Sequence, residues 1–260
     1  MEKPRKRVRK TFEEKAQGVF VVEGLNAVAE YLKFMPEAIE FVVYKKSLLK
    51  NEDFIGKAQA QNLKLVEASD YKEEETGQWS KSPVWASVKI KVKEEDALEK
   101  LSGQVGQRVL ILDHITDPRN LGAIMRTAAF FGVRYVIAAK DRQVLLTQSS
   151  VATAQGAFAL CDLIAVTNLS RVLKRLKKLG FWVIGTAIDG MAMEELTMIA
   201  DEDNLALVMG SEEKGMSRLI EGLCDWSVSI DGVGNSLNSL NVSVATGIVI
   251  HRICQKQKKP

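Results

Sequence analysis

The chain has 260 residues, 46% of them hydrophobic and 27% charged, with a formal net charge of +3. That balance suits one large or two small globular domains with a real core. No apolar run is long enough to span a membrane, and the basic N-terminus does not look like a signal peptide.

Basic residues crowd both ends: Lys3, Arg5, Lys6, Arg7, Arg9 and Lys10 at the start, Lys256, Lys258 and Lys259 at the finish. Residues 1–17 read as a basic flexible arm, either a solubilising tail or a segment that touches RNA phosphates. Charge alone does not separate the two. From Val19 the chain reads as a small α/β unit over residues 18–92. An apolar run at Val19–Val22 leads into a helix with Ala27, Val28, Tyr31 and Leu32 on one face. Ile39–Tyr44 reads as a strand, Phe54–Ala60 as a helix and Lys64–Val66 as a strand. Lys72–Pro83 is polar and turn-rich, and Val84–Val92 alternates as a half-buried strand does. Residues 93–106 are charged, end in glycines and read as a linker.

Residues 107–260 read as a second domain. Gln107–Asp113 is a continuous apolar run closed by a carboxylate, the pattern of a buried parallel strand. Pro118 and Asn120 open a helix. Tyr135–Ala138, Phe181–Gly185, Leu205–Met209 and Trp226–Ile230 read as further buried strands. Leu169, Val172, Leu173 and Leu176 have helical spacing, with Gly180 as the stop. Val242–Ile253 is a helix apolar nearly all round, as in a core or a subunit interface. The fold class is α/β with a doubly wound parallel sheet of short strands.

Three segments place polar residues and glycines beside these apolar stretches: Asn120–Arg126, Gly210–Gly215 and Ser239–Ala245. Each follows the carboxyl end of a predicted strand, where open α/β sheets bind ligands, so the three are expected to converge. Gly210 and Gly215 allow tight turns and close backbone approach. Arg126 offers a planar fork for phosphate or a developing oxyanion, and its apolar neighbours imply that it is constrained. Glu212 is expected to hold that guanidinium or Asn120; Glu213 and Lys214 are expected in solvent. No Ser-His-Asp order, metal-ligand spacing, GxGxxG or P-loop presents itself. His114 and His251 are the only histidines. Cys161, Cys224 and Cys254 form neither a zinc pattern nor a disulfide framework, and buried, reduced, inert thiols in the cytoplasm are expected.

Asn120-x-Gly122-x-x-x-Arg126, Gly210-x-Glu212-x-x-Gly215 and Ser239-Leu240-Asn241-Val242-Ser243-Val244-Ala245 resemble the three motifs of the SpoU family of TrmH-like RNA ribose 2′-O-methyltransferases. The match runs from Leu110 to about Ile253, with Thr116–Gly122 especially specific. Val21–Val28 resembles the opening of the L7Ae-like RNA-binding domain found in bacterial enzymes that methylate a guanosine ribose of 23S rRNA. The resemblance implies a C-terminal trefoil knot and a homodimer packed through the last helix. It implies an S-adenosyl-L-methionine pocket at Met209, Gly210, Ile230, Leu240 and Val242, reached largely through backbone. Arg126, Asn120, Glu212, Ser239 and Asn241 would form the catalytic shell, with no metal. The implied partner is RNA, rRNA first, with neither DNA nor membrane; the alternatives are the same chemistry on tRNA, or a non-catalytic RNA-binding or ribosome-assembly protein. Asp231-Gly232 follows Ile230 where the family commonly has proline, and Ser-Leu-Asn occurs twice, at Ser236–Asn238 and Ser239–Asn241.

Overall fold

The computed structural model describes residues 18–46, 52–68, 82–141, 146–193, 195, 203–232 and 239–255. The two basic ends, most of the turn-rich stretch after Lys72 and the first Ser-Leu-Asn copy lie outside the described residues. The chain forms two compact units.

One unit comprises the residues up to Lys91 together with Leu146–Leu160. Its sheet contains β1 (Val19–Glu23), β2 (Ile39–Tyr44), β3 (Leu65–Glu67) and β4 (Val84–Lys89) in the order β1-β4-β2-β3. β4 runs antiparallel to both neighbours, and β2 and β3 are parallel. Helix α1 (Leu25–Phe34) buries Ala27, Val28, Tyr31 and Leu32, the expected face. Helix α2 spans Glu52–Ala60. The later segment contributes a further helix, Gln148–Ala154, whose residues show no apolar periodicity. Its Gln148 side chain donates to the Val21 carbonyl at 2.8 Å and accepts from the Val21 N–H at 3.0 Å. It thereby satisfies backbone groups on the edge strand β1 that would otherwise be open to another strand.

The second unit holds Val92–Leu145 and the chain from Cys161 onward. Among the described residues its strands are β5 (Arg108–Leu112), β6 (Tyr135–Ala139), β7 (Asp162–Val166), β8 (Phe181–Ala192), β9 (Asn204–Met209) and β10 (Trp226–Ser229). They are parallel throughout, in the order β10-β8-β9-β5-β6-β7. Five of these strands match the apolar runs expected from the sequence; β7, which opens on Asp162, is an addition. β8 exceeds the short strand expected, running on to pair with β10. The strand order reverses at β5: β6 and β7 lie on one side of it, β9 and β8 on the other. The carboxyl ends of β5 and β9 therefore adjoin where an open sheet binds ligands.

With the inserted Gln148–Ala154 helix counted as α4, helices α3 (Pro118–Phe130), α5 (Leu169–Lys178), α6 (Arg218–Glu221) and α7 (Val242–Gln255) complete this unit. Asp117 caps α3 by accepting from the Arg119 N–H at 2.7 Å, with Pro118 in the first turn. Hydrogen bonds from Arg119 hold the Asp117 carboxyl below its usual range. Asn168 caps α5 in the same way, and Gly180, at φ +81°, follows its end. One core joins α5 to Val109, Ile111, Ile137, Ile164, Val183 and Val208 of the sheet.

Residues 93–106 are not a free linker. Lys93 bridges to Ile164, Glu95–Leu101 forms a 3-10 helix, and Leu98 and Leu101 are buried in the sheet core. The charges that suggested a linker lie on the outer side of that turn. Helix α7 is buried along one face and open along another. Val242, Thr246, Val249, Ile250 and Ile253 are buried, but Val244 and Ile248 remain 52% and 36% exposed within the chain. Leu98→Ala should lower the urea-derived unfolding free energy by about 2–5 kcal/mol, as a truncation in a packed core does; a loss below about 0.5 kcal/mol would match a surface position.

Candidate active site

The three polar segments meet at one carboxylate. Glu212 Oε1 accepts from Asn120 Nδ2 at 2.9 Å, from Asn241 Nδ2 at 2.7 Å and from the backbone N–H of Val242 at 3.1 Å. Asn241 Nδ2 also donates to Asn120 Oδ1 at 3.0 Å. Asn241 Oδ1 accepts from the Ser243 N–H at 3.0 Å and from Ser243 Oγ at 2.6 Å. This fixes the Asn241 amide: its reverse orientation would set an NH2 group against the Ser243 N–H.

Local structure explains the convergence. Asn120 lies in the first turn of α3, after β5. Asn241 caps α7, after β10, and its side chain serves the second helical N–H as an N-cap does. Glu212 comes from the loop after β9 and sits between the amino ends of both helices. Their unpaired N–H groups and dipoles favour a negative charge there. The trio is solvent-accessible, with Glu212 and Asn241 exposed and Asn120 half-buried.

The loop carrying Glu212 is a closed hairpin. Ser211 and Gly215 exchange backbone hydrogen bonds of 3.0 and 2.9 Å, and the Lys214 N–H reaches Ser211 Oγ at 3.2 Å. A Cβ on Gly210 would lie 2.2 Å from the Gly215 carbonyl carbon, so glycine is required there by contact with the returning strand of the hairpin. Gly215 turns the chain at φ +65°. Glu213 and Lys214 face solvent, as expected.

The other expected residues fall into two groups. Arg126 is exposed on α3, and among the described residues no hydrogen bond or ion pair engages it. The expected constraint is absent because successive helical residues point about 100° apart, so buried Met125 and Ala128 do not enclose it. Glu212 holds Asn120 and not Arg126. Ser239 is likewise exposed and outside the network. Of the expected pocket residues, Met209 and Val242 are only 1% and 4% exposed, so their side chains belong to the core. The Val242 N–H is already bonded to Glu212, whereas Ile230 is half-buried and Leu240 is 47% exposed.

Sequence reasoning passed over Asp113. It is 3% exposed, accepts from the Ser217 N–H at 2.8 Å, and lies 2.7 Å from His114 Nδ1. A carboxylate directly closing an apolar strand was the available signal, since a buried one must find partners. The thiols take no part in the network. Cys161 is buried, and burial raises its pKa. Cys224 and Cys254 are only partly covered, and burial pushes Cys224 up to about 11. Gly210→Ala should cost about 1–3 kcal/mol in a denaturant titration by forcing the hairpin open; unchanged stability would show that the loop can yield.

Comparison with known proteins agrees with this architecture. The model of the SpoU rRNA Methylase family matches residues 107–251, more than half of the chain. The 23S rRNA (guanosine-2′-O-)-methyltransferase RlmB of Coxiella burnetii is 34% identical over 245 residues, covering 92% of this chain and 96% of that protein. The Pseudomonas putida RlmB is 41% identical over 181 residues, 69% of each chain. In fold, the chain is similar to the SpoU methyltransferase AviRb from Streptomyces viridochromogenes in complex with AdoMet. That match has a TM-score of 0.74 at 19% identity and covers 99% of this chain and 95% of the other. With its three polar segments joined at the carboxyl edge of a parallel sheet, the chain belongs to the SpoU rRNA methylase family.

Proposed function

We propose that this protein transfers a methyl group from S-adenosylmethionine to a ribose 2′-OH of RNA, its target a guanosine of 23S rRNA. The observation that carries the reading is the Glu212 carboxylate, which ties Asn120 and Asn241 into one solvent-accessible cluster. The named relatives supply the RNA and the guanosine ribose.

The residues present fit the methyl donor. Ile230 and Leu240 offer apolar surface for an adenine ring, and the Met209–Gly210 backbone ends β9 at the carboxyl edge of the sheet. Gly210 and Met209 would act through backbone alone, and Val242 through support of the loop. S-adenosylmethionine, when bound, supplies an electrophilic methyl with its leaving group attached. The protein's task is to align the ribose oxygen and stabilise the charge that develops on it.

Arg126 has the chemistry for that charge. Its guanidinium is exposed, and no partner among the described residues competes with an RNA phosphate or alkoxide for it. Guanidinium is a poor general base, so its role is to stabilise the forming alkoxide, and the hydroxyl proton leaves to water in the solvent-accessible site. Asn120, Glu212 and Asn241 hold the floor of the site, and Ser239 borders the approach to it. We assign the α7 face bearing Val244 and Ile248 to a homodimer contact, since exposed apolar side chains at helical spacing suit a second copy. The C-terminal trefoil knot, the L7Ae-like RNA-binding role of the N-terminal unit and a cytoplasmic location belong to the same reading. So does an RNA-touching role for the basic arm.

Labelled methyl transfer from S-adenosylmethionine to unmodified rRNA and tRNA, followed by alkaline digestion, tests the proposal. An alkali-resistant labelled dinucleotide from rRNA is expected; label in tRNA would overturn the target, and none in either would overturn the chemistry. Arg126→Ala should lower transfer by about 100-fold or more while leaving S-adenosylmethionine affinity by calorimetry within about threefold. Lost affinity in a folded variant would reassign Arg126 to donor binding.

A further inference from the structure

We infer that Asp113 is a positioning residue for methyl transfer, acting through the hairpin that carries Glu212; the inference rests on the function proposed above. Asp113 is the first residue beyond β5, and its side chain is almost wholly buried. It grips both limbs of the neighbouring hairpin. Its backbone N–H donates to the carbonyl of Met209, where the chain enters the hairpin, at 2.9 Å. Its Oδ2 accepts from the N–H of Ser217, just after the chain leaves it, at 2.8 Å. The other carboxylate oxygen faces His114 Nδ1, whose residue turns out of the strand at φ +65°.

Packing alone does not call for a carboxylate here. An apolar side chain would fill the space at the end of an apolar strand without the cost of a buried charge. What it could not do is hold the Ser217 N–H. Between Met209 and Ser217 lie only Gly210–Met216, closed on themselves by the Ser211–Gly215 pair. Fixing both limbs therefore fixes the tip, and the tip carries Glu212. Glu212 in turn sets the amides of Asn120 and Asn241 and the first N–H of α7. The line of support runs from the β5 end through Ser217 and Glu212 to the segments around the reacting groups.

The test uses the full chain and two readouts, one independent of activity. The first is residue-resolved hydrogen exchange at the Val242 amide, which reports whether Glu212 is in place. The second is kcat and KM for RNA methylation. The variants are Asp113→Ala, Asp113→Asn, Glu212→Ala and Ser217→Pro; the last removes the donor at a φ of −66°, within the range of the proline ring, and sets the ring Cδ against Asp113 Oδ2 in place of the hydrogen bond. Asp113→Ala and Ser217→Pro should each speed Val242 exchange and lower kcat by about tenfold or more, the loss of one charge-assisted bond. Asp113→Asn keeps an acceptor for Ser217 and should stay within about threefold of wild type. In the Glu212→Ala background, Asp113→Ala should add less than about twofold, because the two act in one line.

Unchanged Val242 exchange and kcat in folded Ser217→Pro would overturn the inference. So would full multiplication of the Asp113→Ala and Glu212→Ala losses, the mark of a separate structural role. If Asp113→Ala does not fold, Ser217→Pro decides. A wild-type chain that methylates no RNA would refute the proposed function instead, and Val242 exchange would still decide whether Asp113 positions Glu212.

Discussion

One carboxylate oxygen holds together three parts of the chain that are far apart in sequence. Glu212 Oε1 receives hydrogen bonds from the first turn of α3, from the residue capping α7 and from α7's first N–H. Each partner is a group that its own element leaves unsatisfied: an amide side chain at a helix start, or a backbone N–H without an intrahelical acceptor. The carboxylate also sits where two helix dipoles present their positive ends. An exposed hydrogen bond contributes little by itself. The network draws its definition from the rigid parallel sheet, whose reversal around β5 puts the carboxyl ends of β5 and β9 side by side.

The sheet and the hairpin divide the work. Strands buried on both faces give the loops a fixed base, and the contact between Gly210 and Gly215 fixes the hairpin against it. Polar groups stay accessible on the loops, where chemistry needs them. Arg126 follows the same division. Its helix is anchored through Leu121, Ile124, Met125 and Ala128, while its guanidinium stays in solvent. An arginine with no carboxylate partner among the described residues remains available to a polyanion.

Much of this was legible in the residues. All the parallel strands but β7 announced themselves as apolar runs, and α5 as leucines at helical spacing before a glycine. The convergence of three motifs followed from the general behaviour of strand ends in α/β sheets. The missing parts have physical causes. The Leu98–Leu101 turn looked like a linker because a one-sided 3-10 helix shows more charge than core. The Gln148–Ala154 helix escaped notice because Gln, Ser, Thr and Ala give no strong periodicity, and its anchoring to Val21 is made through a side-chain amide. The constraint assigned to Arg126 failed because buried neighbours along a helix do not imply a buried residue between them. Asp113 went unread because its partner Ser217 lies 104 positions away in sequence.

If Glu212 joins the site, Asn120 and Asn241 must work as one unit through it. The most direct measurement is kcat for RNA methylation by Asn120→Ala, Asn241→Ala and the double variant, with folding checked by thermal unfolding. A shared network requires the double variant to be no slower, within about threefold, than the slower single variant. Losses that multiply across the two positions would mean that the amides act independently and that the Glu212 contact is incidental to the reaction.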